Sequence, residues 1–348
     1  MEKSFYRTLI NFDFSQKASL CSLIHWKGSV PRKDYPLMLV LENGKIIGTI
    51  GGGNVENEII EEAKTVNKKN YITFETFDLT STNATSEGGL CGGVVKILIE
   101  PYTQEIQSFW KSLNYLDRKQ NNTVMITKVQ QKAPVTSHRH LIYPDDPLQR
   151  FPRKVKDAIK TIQSGRDAVT METTGKLFLI QRILTPPILH IFGAGHIGGA
   201  VAELAHFIEL DAHIYDDRKD LANSDRFPHA KFISNKAFSK LSDHINISPE
   251  DYILIATRGH LHDLELLRWL VTREVSYIGL VSSQRKWKIL SETLLDEGVS
   301  SDQLNTVHSP VGLDIKSETV PEIALSIISE IIHNIRTRKR SILSLSFK

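Results

Sequence analysis

The chain has 348 residues, enough for two domains of ordinary size, each with its own core. Its 43 Lys and Arg against 40 Asp and Glu leave a formal charge of only +3, with the charges interspersed, which argues against a nucleic-acid-binding protein and against an acidic disordered one. Two cysteines, Cys21 and Cys91, cannot build a disulfide framework, no apolar run reaches the roughly 18 residues of a membrane span, and the N-terminus lacks the apolar core of a signal peptide, so a reducing, cytoplasmic setting is expected.

Alternating or apolar runs at Leu20–His25, Leu37–Leu41, Lys45–Ile50, Ile72–Phe77 and Val94–Ile99 read as strands of a first unit, with one helix over Val55–Val66 among them. Before that helix lie Gly48, Gly51, Gly52, Gly53 and Asn54. Successive glycines permit positive φ and expose consecutive amides, a nest for an anion such as phosphate, and Asn54 can cap the helix. The alternative is a tight turn whose amides are satisfied by Glu56. A second cluster, Gly88, Gly89, Leu90, Cys91, Gly92 and Gly93, surrounds a thiol with glycines that let a bulky ligand approach. As thiolate, Cys91 is a soft metal ligand and a nucleophile; as thiol, it is equally a small buried hydrophobe. Cys21, inside a strand with no glycine nearby, reads as core.

After Pro101 the pattern predicts a helix to Leu116, a strand at Thr123–Val129, a helix near Val155–Gln163 and two strands within Ala168–Ile183, all expected to complete the same sheet. Lys132–Arg153, with Pro134, Pro144, Pro147 and Pro152, reads as a long loop or flap. His138 and His140 have no acidic or cysteine partner nearby in sequence, so a metal site there is not favoured. The prolines of Thr185-Pro186-Pro187 mark the boundary between an N-terminal α+β domain, 1–185, and a second domain, 186–348.

Beyond the boundary, strands at Leu189–Phe192, Ala212–Tyr215, Lys231–Ile233, Tyr252–Ala256, Tyr277–Leu280 and Thr306–Val307 alternate with helices, as a doubly wound parallel sheet requires. The helices are expected after Gly198, near Asp263–Val271, at Ser283–Glu297 and at Pro321–Ile335. Gly193, Gly195 and Gly198 stand at the first strand-to-helix turn with dinucleotide-binding spacing: one for the tight turn, one for approach of the pyrophosphate, one for helix packing. Asp216 lies 18 residues beyond Gly198, where an acid can meet ribose hydroxyls. Neighbouring Arg218 can instead accommodate a 2′-phosphate, so NAD and NADP both stay open. At the end of the Tyr252–Ala256 strand, Thr257, Arg258, His260, His262 and Asp263 offer hydroxyl, anion-binding and proton-transfer groups. Ser282 to Lys286 enters a helix and can hold another anion. The basic run Arg336–Arg340 suits a helix C-terminus and reads as solvated.

Taken together, Gly28-Ser-Val-Pro31-Arg32, Gly48 to Gly53 with Glu56, Cys91-Gly92-Gly93 with Glu100-Pro101, Gly193 to Gly198 with His196, Asp216 to Arg218, Thr257 to His260 with Asp263, and Pro310 to Asp314 with Pro321 to Ala324 resemble the XdhC/CoxI family, accessory proteins of molybdenum hydroxylases such as xanthine dehydrogenase. The likeness spans nearly the whole chain, except for 103–185. The usual Gly-Ser-Arg-Arg-Lys pattern stands here as Ser282 to Lys286, and a Gly-Ala pair as Lys316-Ser317.

The resemblance implies a protein that binds the molybdenum cofactor in its molybdopterin form and shelters it while a cysteine desulfurase installs its terminal sulfur. Delivery to an apo-hydroxylase follows. On that basis Gly51, Gly52, Gly53 and Glu56 would take a pterin phosphate, Gly92 and Gly93 would flank the cofactor, and Cys91 would face molybdenum. The second domain would take a nucleotide part or separate NAD(P), the site would lie between the domains, and the chain would form a homodimer. From the residues alone two further readings stay open. One is an NAD(P)-dependent oxidoreductase using His260 or His262 as proton donor and Arg258 to orient a small acidic substrate. The other is a scaffold that senses bound dinucleotide.

Overall fold

The computed structural model describes residues 3–30, 35–51, 54–78, 93–113, 123–164, 168–183 and 187–344. The chain divides into two compact units, 1–185 and 186–348.

The first unit opens with α1 (Lys3–Ile10), followed by β1 (Ala18–Gly28), β2 (Leu37–Leu41), β3 (Ile46–Gly48), α2 (Asn54–Lys69), β4 (Thr73–Asp78), β5 (Gly93–Pro101) and α3 (Gln104–Ser112). The strands pair antiparallel in the order β3-β2-β1-β5-β4. Period-two alternation in β1 and β2 sends Cys21 and Met38 to one face, where Ile59, Ala63 and Val66 of α2 cover them. Leu20 and Leu39 point the other way, against Phe5 and Leu9 of α1 and Trp110 of α3. Helix α1 is absent from the sequence-based elements, although the four-residue spacing of Phe5 and Leu9 is a one-face helical signal.

The remaining strands of this unit, β6 (Val124–Gln130), β7 (Thr136–Ile142), β8 (Ala168–Thr173) and β9 (Lys176–Arg182), do not extend the first sheet as expected. They form a second antiparallel sheet, β7-β6-β9-β8. The reason lies in its two covered faces. Val129, Leu177 and Leu179 stack on Ile24 and Leu98 of the first sheet, while α4 (Arg153–Gln163) lays Val155, Ile159 and Ile162 on the opposite face.

Strand β7 also corrects the loop expected over 132–153. Its pattern conceals it because neither of its faces is apolar throughout. On one face, Ser137 donates to Oε2 and Arg139 to Oε1 of Glu100 on β5. Glu100 is 1% exposed, and the Arg139 side chain 6%. This buried ion pair ties the two sheets together, with Arg139 also lying 5.9 Å from the Trp110 ring centroid. Removing one member of such a pair leaves the other charged and desolvated. Glu100→Gln should therefore lower unfolding free energy by about 3–5 kcal/mol in urea denaturation; a loss below about 1 kcal/mol would show that the pair is not what joins the sheets.

The second unit comprises β10 (Ile188–Phe192), α5 (His196–Phe207), β11 (Asp211–Tyr215), β12 (Phe232–Ser234), β13 (Tyr252–Ile255), α6 (His260–Leu270), β14 (Tyr277–Leu280), α7 (Gln284–Asp296), α8 (Ser301–Leu304), β15 (Val307–His308) and α9 (Val320–Ser344). Its sheet is wholly parallel, ordered β12-β11-β10-β13-β14-β15. Counted within the unit this is 3-2-1-4-5-6, the dinucleotide-binding order. Helices α5 and α9 cover one face through Val201, Ala205, Ala324, Ile327 and Ile331. On the other, α6 and α7 contribute Leu266, Leu267, Leu270, Leu290 and Leu294. The apolar stripe of α9 is thus used inside its own unit. Among the described residues, no helix is long and apolar enough to cross a membrane.

Candidate functional site

The chain leaves β10 toward β11 on one side and later returns to β13 on the other, so a crevice opens at their carboxyl ends. Three glycines shape the turn there, each for a separate reason. Gly193 has φ of +117°, and a Cβ on it would stand 2.1 Å from the Ala256 carbonyl oxygen. Gly198 is closed as well, since its Cβ would fall 1.9 Å from the Gly193 oxygen. Gly195 differs: a Cβ there would meet nothing within 4 Å, and it begins α5 with no side-chain cap. The start of α5 therefore combines an uncapped helix N-terminus with open space at Gly195 and exposed His196, the setting in which a helix N-terminus receives phosphate.

Asp216 holds this turn. Its Oδ2 accepts the Ala194 amide at 2.8 Å and Arg218 Nη2 at 2.7 Å, while Oδ1 accepts the Arg218 amide at 3.0 Å and Nε at 2.8 Å. Those four bonds fill the acceptor positions of a carboxylate. Asp216, expected from its position to meet ribose hydroxyls, here accepts from its own turn, with Arg218 as its clamp. Burial of Asp216 pushes its pKa up, but the Arg218 hydrogen bonds and the Ala194 amide outweigh this and bring it down to about 2. Arg226, which the motif gives no reason to single out, adds a bond from Nη1 to the Ala194 carbonyl at 2.9 Å.

Across the crevice, Arg258 is paired with both Asp217 oxygens, at 2.6 and 2.8 Å. Because β11 and β13 flank β10, this bridge spans the strand that carries the glycine turn. The guanidinium stays partly exposed beside this pair. Thr257 donates to Asp263 Oδ1 at 2.6 Å, and the ammonium of Lys286 lies against Oδ2 of this buried carboxylate. Gly259, extended and with open space at its Cβ position, begins α6 without a side-chain cap, next to exposed His260. His262 stands 3.8 Å from Glu265. Ser283 caps α7 by accepting the Lys286 amide at 3.2 Å, so that terminus is satisfied internally. Two uncapped helix starts, α5 and α6, remain for an anionic ligand.

The first unit places its candidates differently. Oε2 of Glu56 accepts the Thr49 hydroxyl at 2.6 Å, the Ile50 amide at 3.0 Å and the Gly51 amide at 3.3 Å. Two amides of this turn are thus taken by the protein's own carboxylate, as in the tight-turn alternative, while the rest of the expected nest, Gly52 and Gly53, lies outside the described residues. Gly93, in register with Gly28, has no room either, since its Cβ would lie 2.4 Å from the Ser29 carbonyl oxygen. Gly52, Gly53, the Asn54 side chain, Pro31, Arg32, Cys91 and Gly92 lie outside the described residues. Cys21 is buried in the core, and burial pushes its thiol pKa far up. Among the described residues, no group of three His, Cys, Asp or Glu side chains is placed to hold a metal ion.

Comparison with known proteins gives a consistent picture. Residues 189–331 match the model of the XdhC Rossmann domain, and residues 15–78 that of the XdhC and CoxI family. The chain is 27% identical over 330 residues to a Bacillus subtilis (strain 168) protein named as one of the probable xanthine dehydrogenase subunits, covering 93% of this chain and 94% of that one. It is 24% identical over 315 residues to an uncharacterized Escherichia coli (strain K12) protein, YqeB, covering 90% of this chain and 43% of the relative. A crystal structure described as a xanthine dehydrogenase from Bacillus halodurans superposes with a TM-score of 0.77 at 25% identity, over 97% of each chain.

The division of labour among the glycines can be separated experimentally. Gly195→Ala should cost no more than about 1 kcal/mol in stability, yet weaken ADP-ribose at least about tenfold in calorimetric titration, because the new methyl occupies the open face. Gly193→Ala should unfold or strongly destabilise the second unit. Unchanged ADP-ribose affinity in Gly195→Ala would show that the open face has no ligand role. For Asp216, whose folded pKa is depressed, the stabilisation is present above the unfolded value near ~4 and disappears as pH falls toward the folded value. The melting-temperature gap between the parent chain and Asp216→Asn should accordingly be full at pH 5 and close between pH 4 and about pH 2; a gap independent of pH would contradict the assignment.

Proposed function

The chain belongs to the XdhC and CoxI family, and on that premise we propose that it is an accessory protein of a molybdenum hydroxylase of the xanthine dehydrogenase type. It binds the molybdenum cofactor as cargo, shelters it while a cysteine desulfurase supplies the terminal sulfur, and passes it to the apo-hydroxylase. Homodimeric assembly belongs to the same reading.

One observation carries most weight: the uncapped start of α5 at Gly195, whose Cβ position is open while those of Gly193 and Gly198 are closed. This cradle fits a phosphate or diphosphate, and therefore the phosphate end of a pterin cofactor, its nucleotide-bearing form, or NAD(P). The described part of the first glycine cluster does not fit that task, because Glu56 already takes the Gly51 amide. Phosphate recognition is accordingly assigned to the second unit, and contact with the sulfur-bearing end of the cargo to Cys91 and Gly92.

Within the second unit, the residues act by holding rather than by reacting. Asp216 and Arg226 fix the turn so that the α5 amides meet an anion without rearrangement. Bridging Asp217 and Arg258 presents one partly exposed guanidinium at the rim of the crevice.

The test uses full-length protein from a host that synthesises the cofactor. Denatured and oxidised, the parent chain should release fluorescent pterin together with molybdenum, and Cys91→Ala should release at least about tenfold less with unchanged melting. Unaltered retention in Cys91→Ala rejects the thiol contact. Absence of both pterin and molybdenum from the parent chain rejects the cofactor reading altogether.

A further inference from the structure

A second binding site lies far in sequence from these motifs, within the segment 103–185 that carries none of them. The strand register brings one face of the second sheet into view: Ile126 and Lys128 on β6 stand opposite His140 and His138 on β7, and Lys128 stands opposite Phe178 on β9. Helix α4 covers the apolar part of that face, Val124, Ile126, Ile142 and Ile180. At the start of α4 the cover stops. There the face becomes the floor of a cavity of about 410 Å3, walled by Arg150, Phe151 and Pro152 on one side and Thr173 and Thr174 on another.

The chemistry of that lining is one-sided. Lys128, Lys176, Arg150 and His140 contribute to it, and among the described residues no acidic side chain does. Burial, then the charges of Arg150, His138 and Lys128, depress the His140 pKa. The apolar part comes from Phe151 and Phe178, with the Arg150 guanidinium 5.1 Å from the Phe151 ring centroid. Helix α4 begins at this wall, after Pro152, without a side-chain cap.

Thr174 adds a backbone observation. It occupies the hairpin turn between paired Thr173 and Lys176 with φ of +47°, followed by Gly175 at +74°. Two-residue turns of this kind favour Asn-Gly, and a β-branched residue seldom adopts positive φ. Here the strained position places a hydroxyl-bearing residue on the cavity wall.

We infer that this cavity binds a small aromatic phosphate, its ring against Phe151 and Phe178 and its phosphate paired with Lys128, Lys176 and Arg150. The volume falls within the range of small-molecule sites, and the mixture of aromatic wall and convergent cations is what such a ligand requires. Neither the Gly195 cradle nor the cofactor reading is needed for it.

Fluorescence anisotropy with 4-methylumbelliferyl phosphate as probe tests the assignment on the full chain. The phosphate ester should bind, and 4-methylumbelliferone should bind at least about tenfold more weakly. Lys128→Ala and Lys176→Ala should each weaken binding at least about tenfold, as expected for loss of a charged hydrogen-bond partner, with melting unchanged. Lys128→Arg should retain binding within about threefold, so that folding defects are told apart from lost charge. Binding that survives both alanine variants, or no binding at millimolar probe, overturns the site. Displacement by inorganic phosphate as effective as displacement by unlabelled phenyl phosphate overturns the aromatic part of the assignment.

Discussion

A carboxylate from one strand holds the turn at the end of its neighbour. Asp216, at the end of β11, reaches under the glycine turn after β10 and takes the Ala194 amide. Its remaining acceptor positions go to Arg218. Hydrogen bonds to a charged group contribute about 1.5–3 kcal/mol each, and these sit where Gly193 is already pressed against the Ala256 carbonyl. The main chain therefore has little choice of path. The inner amide is used by the protein, whereas α5 begins at Gly195 without a side-chain cap and with open space at the Gly195 Cβ position. A phosphate arriving there meets donors that do not reorganise.

The first unit uses the same device with the opposite result. Glu56 stands in the first turn of α2, where a negative charge also suits the helix dipole. Its carboxylate turns back onto Thr49, Ile50 and Gly51. Both units thus stabilise a glycine turn with an internal acid. What differs is the origin of that acid. From the adjacent strand it satisfies the turn and leaves the helix start uncapped, whereas from the helix itself it takes the Ile50 and Gly51 amides just before that helix. Glycine clusters of similar composition can therefore have different capacities for ligands.

The second sheet of the first unit shows how polar residues become structural or receptive according to the face they occupy. Along β7, Ser137 and Arg139 point toward the first sheet and are consumed by buried Glu100. Facing the other way, His140 reaches the cavity at the start of α4. One strand supplies both an inter-sheet ion pair and part of a cationic cavity wall. Conformational specificity for the first and charge complementarity for the second are reasonable consequences of burying polar groups only where partners converge.

Periodicity alone establishes the parallel order of elements in the second unit, because apolar strands and amphipathic helices alternate there with a strong rhythm, and spacing alone locates Gly193, Gly195 and Gly198 because it serves one purpose. Most strands of the first sheet are legible in the same way, since its two faces alternate cleanly. Strand β7 is not, because an ion pair and a cavity replace the apolar residues that reveal a strand, and two sheets read as one because strand identity carries no information about partners. Which acid is spent and which amide stays open is settled only in three dimensions. Asp216, Glu56 and Arg258 are legible as charged residues, but their availability depends on groups brought beside them from other strands, helices and turns, and electrostatic partnership is a property of distance in space rather than of distance along the chain.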